Sequence, residues 1–492
     1  MSRLVLLAGV NGYVGSRLLP LLASPSQRVR CIAGWADTLW DRVPEGVELL
    51  RGDLHDPAFL AAALAGVDCA LYIRPVLTAT GESADAGRSE ARLFGAAARA
   101  AGARRIVYFG GFGAERLTQG VRRDVVGDAL GSAGIPTLEL RASAIIGPGS
   151  LSFEMIRALV ERLPVIPSPR WMRMPLRPIF IGDLLACLVE SLDIPADGNR
   201  VFSVGGADVV TFAGLLEAYA RVRGLRRWLL PVPAHARGLS RLALGLVAPK
   251  YARVAGLMIE HMPDLPSADD ERAGAPFTTR PMGVLDALTR TMGSEDAGLA
   301  RTRWSQVVSA EDAVRPWGGA RYGNRLVDSR VAAVAAPPDA VFAAVERIGG
   351  AQGWYSTQWL WALRGWMDEV VGGAGMRPGR ADPDRLAVGN IVDCWRVAAL
   401  DRDRRLLLAA EMKLPGRGWL EFEVHAGADG RTTSLRQTAL FDPLGLAGLL
   451  YWLASWPFHQ WVFAQMILGI AREAERRATA IDRDTTPPTM AT

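Results

Sequence analysis

Few residues of this chain are arranged to do chemistry, and the clearest arrangement lies at the start. Glycines stand three apart at Gly9, Gly12 and Gly15 in AGVNGYVGSRLL. With this spacing the first glycine allows a tight turn, the second lets backbone approach a pyrophosphate, and the third lets a helix pack on a strand. The following helix offers free N–H groups and its positive dipole end to the phosphates. The apolar run RLVLLAG before the loop reads as a strand and YVGSRLLPLLAS after it as a helix, the setting that makes the pattern informative. Gly9, Val10, Asn11, Gly12, Tyr13, Val14 and Gly15 therefore form a candidate dinucleotide loop. Asp53 ends a later strand, where a carboxylate can meet an adenine amine.

Other reactive residues are scattered. The five histidines, His55, His235, His261, His425 and His459, show no HxH or HExxH spacing, so no metal site is expected. In WLEFEVH the strand alternation puts Trp419, Glu421, Glu423 and His425 on one face and Leu420, Phe422 and Val424 on the other. The charged face is either a solvated exterior or a polar patch inside a cavity. Glu411, Asp393 and His459 pose the same choice. Cys31, Cys69, Cys187 and Cys394 form no CxxC, and buried thiols in a reducing cytoplasm are expected. Net charge is +5, and Lys250 and Lys413 are the only lysines, so the positive charge is almost all arginine. The arginines are dispersed rather than gathered on one face, which argues against nucleic acid as a partner.

The elements that must hold these residues follow a βα rhythm over the first 150 residues. Six strands (RLVLLAG, RVRCIAG, VELLRGDL, VDCALYI, RRIVYFGG, PTLELRA) alternate with helices, which predicts a doubly wound parallel sheet, a Rossmann α/β fold. DPAFLAAALAG begins with Asp56 as N-cap and Pro57 in the first turn. RVFSVGG adds a strand, and TFAGLLEAYARVRGL a helix capped by Thr211. The first domain is assigned to residues 1–262 and a Pro/Gly/charge-rich linker to 263–324. Residues 325–480 read as strand, helix, an antiparallel meander of four strands and a long closing helix from Pro457, an α+β order. A disordered tail is expected over 481–492.

Residues 443–471, PLGLAGLLYWLASWPFHQWVFAQMILGIA, contain no Asp, Glu, Lys or Arg. The run exceeds the roughly 20 residues that span a bilayer, but Pro457 divides it into halves too short to cross. A buried or pocket-lining helix is the first reading and peripheral membrane contact the second. Nine of the fifteen tryptophans fall between Trp354 and Trp461, a density that fits a core or an apolar pocket.

AGVNGYVGSRLL, VELLRGDLHDPAFLAAAL, AGARRIVYFGGFG and LELRASAIIGPGSLSFEMIRALVERLP, in this order, resemble the NmrA-like atypical short-chain dehydrogenase/reductases over about residues 3–260. The resemblance implies NADP or NAD at Gly9–Gly15, with Asp53 and Leu54 near adenine and Tyr72, Ile73 and Arg74 near the ribose and nicotinamide. The stretch from VGGAGMRPGRADP to LLYWLASWPFHQWVF resembles the C-terminal domain of YbjT-like bacterial proteins, itself similar to the helix-grip, START and polyketide-cyclase (SRPBCC) superfamily. That implies a curved sheet around a long helix with an apolar cavity, where Trp395, Glu411, His425 and His459 are the candidate substrate residues.

Two departures matter. The parent enzymes pair a tyrosine with a lysine four residues later, which lowers the tyrosine pKa. Here the residues four before the two lysines are Leu246 and Ala409, so the pair is missing. The corresponding segment, GVRRDVVGDAL, offers Arg122, Arg123 and Asp124, and Arg123 and Asp124 are carried as catalytic candidates. The position after the second strand holds Gly34 and Trp35, neither the acid of NAD enzymes nor the arginine of NADP enzymes. Arg17 or Asp37 is left to substitute, with NADP favoured by the resemblance. The expected function is an NAD(P)H-dependent oxidoreductase acting on a large apolar small molecule. The rivals are a nucleotide-binding redox sensor without turnover and a non-redox cyclase or dehydratase working in the C-terminal cavity.

Overall fold

The computed structural model describes residues 3–10, 12–24, 27–33, 46–73, 84–110, 115–118, 121–195, 198–232, 276–301, 320–322, 325–350, 352–355, 382, 384–427 and 432–485. The chain divides into two compact units, Met1–Met292 and Gly293–Thr492.

The first unit is built on seven strands: β1 (Arg3–Ala8), β2 (Gln27–Ala33), β3 (Val47–Arg51), β4 (Cys69–Tyr72), β5 (Arg105–Gly110), β6 (Thr137–Arg141) and β7 (Arg200–Ser203). They pair in the order β7-β6-β5-β4-β1-β2-β3, every pair parallel. This is the doubly wound Rossmann sheet that the βα rhythm predicts. Its strands read as unbroken apolar runs because both faces are covered. In β1, Val5 and Leu7 enter one core while Leu4, Leu6 and Ala8 enter the other. Among the described residues seven helices belong to this sheet: α1 (Tyr13–Leu22), α2 (Pro57–Leu64), α3 (Ala84–Ala100), α4 (Val125–Gly131), α5 (Leu151–Arg162), α6 (Ile181–Glu190) and α7 (Phe212–Val222). Asp56 caps α2 by accepting from the Ala58 N–H at 2.9 Å, and Thr211 caps α7 by accepting from the Gly214 N–H at 2.9 Å.

Part of the segment read as linker packs here. Residues 276–284 are fastened by three carboxylates. Glu190 accepts from the Thr278 amide and from the Thr278 and Thr279 hydroxyls, Asp183 from the Met282 amide, and Asp208 from the Val284 amide. That last bond starts α8 (Val284–Arg301), whose Val284, Ala287 and Leu288 join the first core.

The second unit is a seven-stranded antiparallel sheet: β8 (Ala320–Tyr322), β9 (Arg325–Val334), β10 (Ile391–Val392), β11 (Trp395–Asp401), β12 (Arg405–Ala410), β13 (Gly416–Ala426) and β14 (Thr433–Pro443). Its order is β8-β9-β14-β13-β12-β11-β10. Helices α9 (Pro338–Glu346) and α10 (Gly445–Thr485) complete it. The α+β order is the one expected, but α10 starts well before Pro457 and runs on to Thr485, into the stretch read as tail. Pro457 removes one helical bond, the one to the carbonyl of Leu453. Leu453 is exposed, so solvent can complete that carbonyl and the helix continues. Gly448 lets the start of α10 lie on the chain below, since a Cβ there would be 2.3 Å from the Pro415 carbonyl oxygen. Among the described residues no helix is long and apolar enough to cross a membrane.

Candidate functional site

The glycine loop follows β1 at the C-terminal edge of the parallel sheet. Chain order reverses between β1 and β4, and in such sheets ligands bind at that switch point. Gly9 has φ of 96°, a left-handed conformation that favours glycine. Its carbonyl accepts from the Gly12 N–H at 3.0 Å, closing the turn. A Cβ on Gly15 would lie 2.1 Å from that carbonyl oxygen, so the third glycine is what lets α1 press against the loop. Helices α2, α5 and α7 carry side-chain caps from Asp56, Ser150 and Thr211. Helix α1 has Gly12 at its N-cap, no side-chain cap bond and no acid in its first turn. Its positive end is left to an anionic group, and the residues present fit the pyrophosphate of a dinucleotide.

Val10 and Val14 are buried under the loop. Tyr13 lies beneath the guanidinium of Arg17, 4.0 Å from the ring centre, and Arg17 donates to the Pro148 carbonyl at 2.8 Å. Arg17 thus ties α1 to the turn after β6. Asp53 is exposed just past β3, where its carboxylate accepts from the His55 amide at 2.9 Å and stands 3.0 Å from the His55 ring. Leu54 beside it is buried, and the Ile73 amide donates to the Ala8 carbonyl at 2.9 Å, holding the end of β4 to β1. The Tyr72 side chain goes elsewhere. It is buried with Phe94 and Tyr108 in the core between the sheet and α3, its hydroxyl 2.5 Å from Glu90. Asn11, Gly34, Trp35, Asp37 and Arg74 lie outside the described residues.

Arg123 and Asp124 stand on a strand, Val121–Asp124, paired in a two-stranded ribbon with Glu115–Thr118. The expected helix begins only at Val125. Three of the four thiols, Cys31, Cys69 and Cys187, are pushed up to about 12 by burial, and all four are buried and outside any disulfide. Nucleophilic chemistry on cysteine is thereby disfavoured.

In the second unit the structure divides the four candidate substrate residues. Trp395 and His459 line an apolar cavity of about 380 Å³ between the sheet and α10, together with Met412, Phe441, Trp452 and Phe463. Trp452 stacks on Phe441 with centroids 5.6 Å apart, and His459 meets Trp452 edge-on at 4.9 Å. Glu411 is not among the lining residues, and its carboxylate is paired with Arg396. His425 is on the opposite face of β13 from Leu420, Phe422 and Val424, which pack towards α10. Asp393 is a clamp: at φ of 54° it accepts from the Trp354 indole N–H at 2.7 Å and from the Gly350 amide.

Trp419, on the face that holds Glu421 and Glu423, lines the cavity, but the two carboxylates are neither solvated nor among the lining residues. Both carboxylates are buried, and Glu421 sits 2.6 Å from the equally buried Arg405. Burial pushes the Glu421 carboxyl up to about 7; the attraction of Arg405 opposes this and the like charge of Glu423 adds to it. Alternation correctly separated the two faces of the strand, but cross-strand Arg405 was not legible from spacing. Among the described residues no group of three His, Cys, Asp or Glu side chains is placed to hold a metal.

These features define an NAD(P)H-binding Rossmann unit joined to an antiparallel-sheet domain. Residues 9–139 match the NAD(P)H-binding family, and residues 322–466 match a family described as protein of unknown function, DUF2867. No curated protein matches the chain. The triphenylmethane reductase of Citrobacter sp. complexed with NADP(H) is similar at 17% identity and a TM-score of 0.48, over 58% of this chain and 99% of that one. A nucleoside-diphosphate-sugar epimerase from Staphylococcus aureus is similar at 15% identity and a TM-score of 0.44, over 58% of this chain and 99% of the other.

Proposed function

We propose that the chain is an NAD(P)-dependent oxidoreductase acting on a large apolar small molecule, held in part by the cavity of the second unit. The observation that carries this reading is the loop: Gly9, Gly12 and Gly15 at the switch point, with the first turn of α1 free of side-chain caps and acids. The match of residues 9–139 to the NAD(P)H-binding family supports it. A bound nicotinamide supplies hydride. The chain's own part is to hold the pyrophosphate on the α1 amides and to place Asp53 and Leu54 by the adenine. Asp124 is retained as a candidate for the proton and Arg123, which stays protonated, for holding the ribose; NADP is favoured over NAD by the resemblance to NmrA-like reductases.

The absent tyrosine–lysine pair favours substrates that accept hydride without a strong acid, such as activated alkenes or iminium ions. The same absence supports the second reading, a nucleotide-binding sensor without turnover. The cyclase reading has less support, because of Glu411, His425 and His459 only His459 lines the cavity. The test is calorimetric titration with NADPH and NADH, followed by NADPH oxidation with polyunsaturated apolar substrates. Binding of either nucleotide is expected, with Gly15→Ala weakening it by about tenfold or more through the clash with Gly9. Absence of binding by the wild-type protein sinks the proposal. Binding without any turnover selects the sensor.

A further inference from the structure

Helix α10 carries more exposed apolar surface than its fold requires. Leu446, Leu450, Leu453, Trp461 and Leu468 are each exposed, from 43% at Leu446 to 64% at Leu450. With exposed Pro457 they recur every three or four residues from Leu446 to Trp461, and Leu468 follows seven residues on, which places them on one face of the helix. The stripe runs about 33 Å along the axis. Contiguous exposed apolar surface of this kind marks an interaction site. On the same face, four and eight residues beyond Leu468, stand Arg472 and Arg476, both exposed, the Arg476 guanidinium also holding Glu473 at 2.8 Å. The face therefore passes from wholly apolar to basic along its length, in a chain of net charge +5.

The cavity supplies a second observation. Ala454 and Phe458 line it and are also exposed beside the stripe, so the cavity reaches the surface there. An apolar ligand entering at this point would pass from one apolar surface to another without crossing water.

We propose that this face of α10 docks on a lipid bilayer bearing anionic headgroups. The apolar stripe lies in the boundary between headgroups and acyl chains, Trp461 at the level that suits an indole, and Arg472 and Arg476 against lipid phosphates. The helix lies on the membrane and does not cross it. Docking sets the cavity mouth against the lipid phase and selects water-insoluble ligands. This reading stands on the second unit alone and does not depend on nucleotide binding by the first.

The test is co-sedimentation of the full chain with phosphatidylcholine vesicles and with vesicles of phosphatidylcholine and phosphatidylglycerol at three to one. Tryptophan emission and sedimentation velocity are recorded alongside. The wild-type protein is expected to pellet with the anionic vesicles, to do so less at high salt, and to shift its emission to the blue. Leu450→Ser with Leu453→Ser removes only exposed side chains, so folding and NADPH affinity should persist while partitioning falls by about tenfold or more. Arg472→Gln with Arg476→Gln should erase the preference for anionic vesicles. The proposal is overturned if wild-type protein stays in the supernatant with both vesicles, or if the leucine variant partitions as well as the wild type. A concentration-dependent dimer that the leucine variant abolishes also overturns it, since the face would then join two copies of the chain.

Discussion

At the scale of single residues, the separation between what holds nucleotide and what holds the fold can be measured. The resemblance would place Tyr72 at the ribose, whereas the structure buries its ring beside Phe94 with the hydroxyl on Glu90. Tyr72→Phe removes a buried donor and should cost about 1–3 kcal/mol in stability, read from denaturant midpoints, with NADPH affinity unchanged. A fall in affinity at constant stability would restore Tyr72 to the site. Glu421 makes a different prediction. Its folded pKa, about 7, lies above its ordinary value of 4.5, so the folded state binds its proton more tightly. The carboxylate therefore costs stability at pH values above 7, and the cost is relieved as pH falls through 7 towards 4.5. Glu421→Gln should flatten stability against pH across that window, when unfolding is followed at several pH values. An unaltered slope would assign the titration to another group.

At the scale of elements, helix termini and helix landings do most of the positioning. Three helices cap themselves with Asp56, Ser150 and Thr211, and α1, beside the glycine loop, has Gly12 instead. Local capping rules read from sequence find the first kind; α6 and α9 also lack a side-chain cap but carry Asp183 and Asp339 in their first turns, whereas α1 has neither cap nor acid. Helix α10 is positioned by Gly448 against Pro415 and by Gly469 against Tyr355. Gly448→Val would drive a side chain into the Pro415 carbonyl and lift the segment carrying Tyr451 and Trp452. The expected result is a loss of about 1–3 kcal/mol and a change in near-ultraviolet circular dichroism from the stacked Trp452. Neither landing could be read from spacing, because each depends on a residue far away in sequence.

At the scale of the whole molecule, each unit has its own core, so each should melt on its own terms. NADPH at one hundred times its dissociation constant adds about 2.7 kcal/mol to the unit that binds it. In a scanning calorimeter this should raise one transition by about 5–10 °C and leave the other in place. Movement of both transitions, or of neither, would contradict nucleotide binding confined to residues 1–292. The expected linker illustrates the limit of composition at this scale. Proline, glycine and charge mark a boundary near 263–324, yet Glu190, Asp183 and Asp208 draw residues 276–284 into the first unit.

Periodicity and local chemistry alone determined the parallel sheet, the α+β order of the second unit, the loop at Gly9–Gly15 and the caps at Asp56 and Thr211. All of these depend on residues within a turn or a strand of one another, so the signal lies in spacing. Tertiary structure decided which side chains meet. It paired Arg405 with Glu421 across strands, turned His425 away from the cavity that Trp395 and His459 share, and gave Arg17 to Pro148. It also carried α10 through Pro457 and left one apolar face uncovered. Those outcomes depend on burial and on partners distant in sequence, which spacing along the chain does not encode.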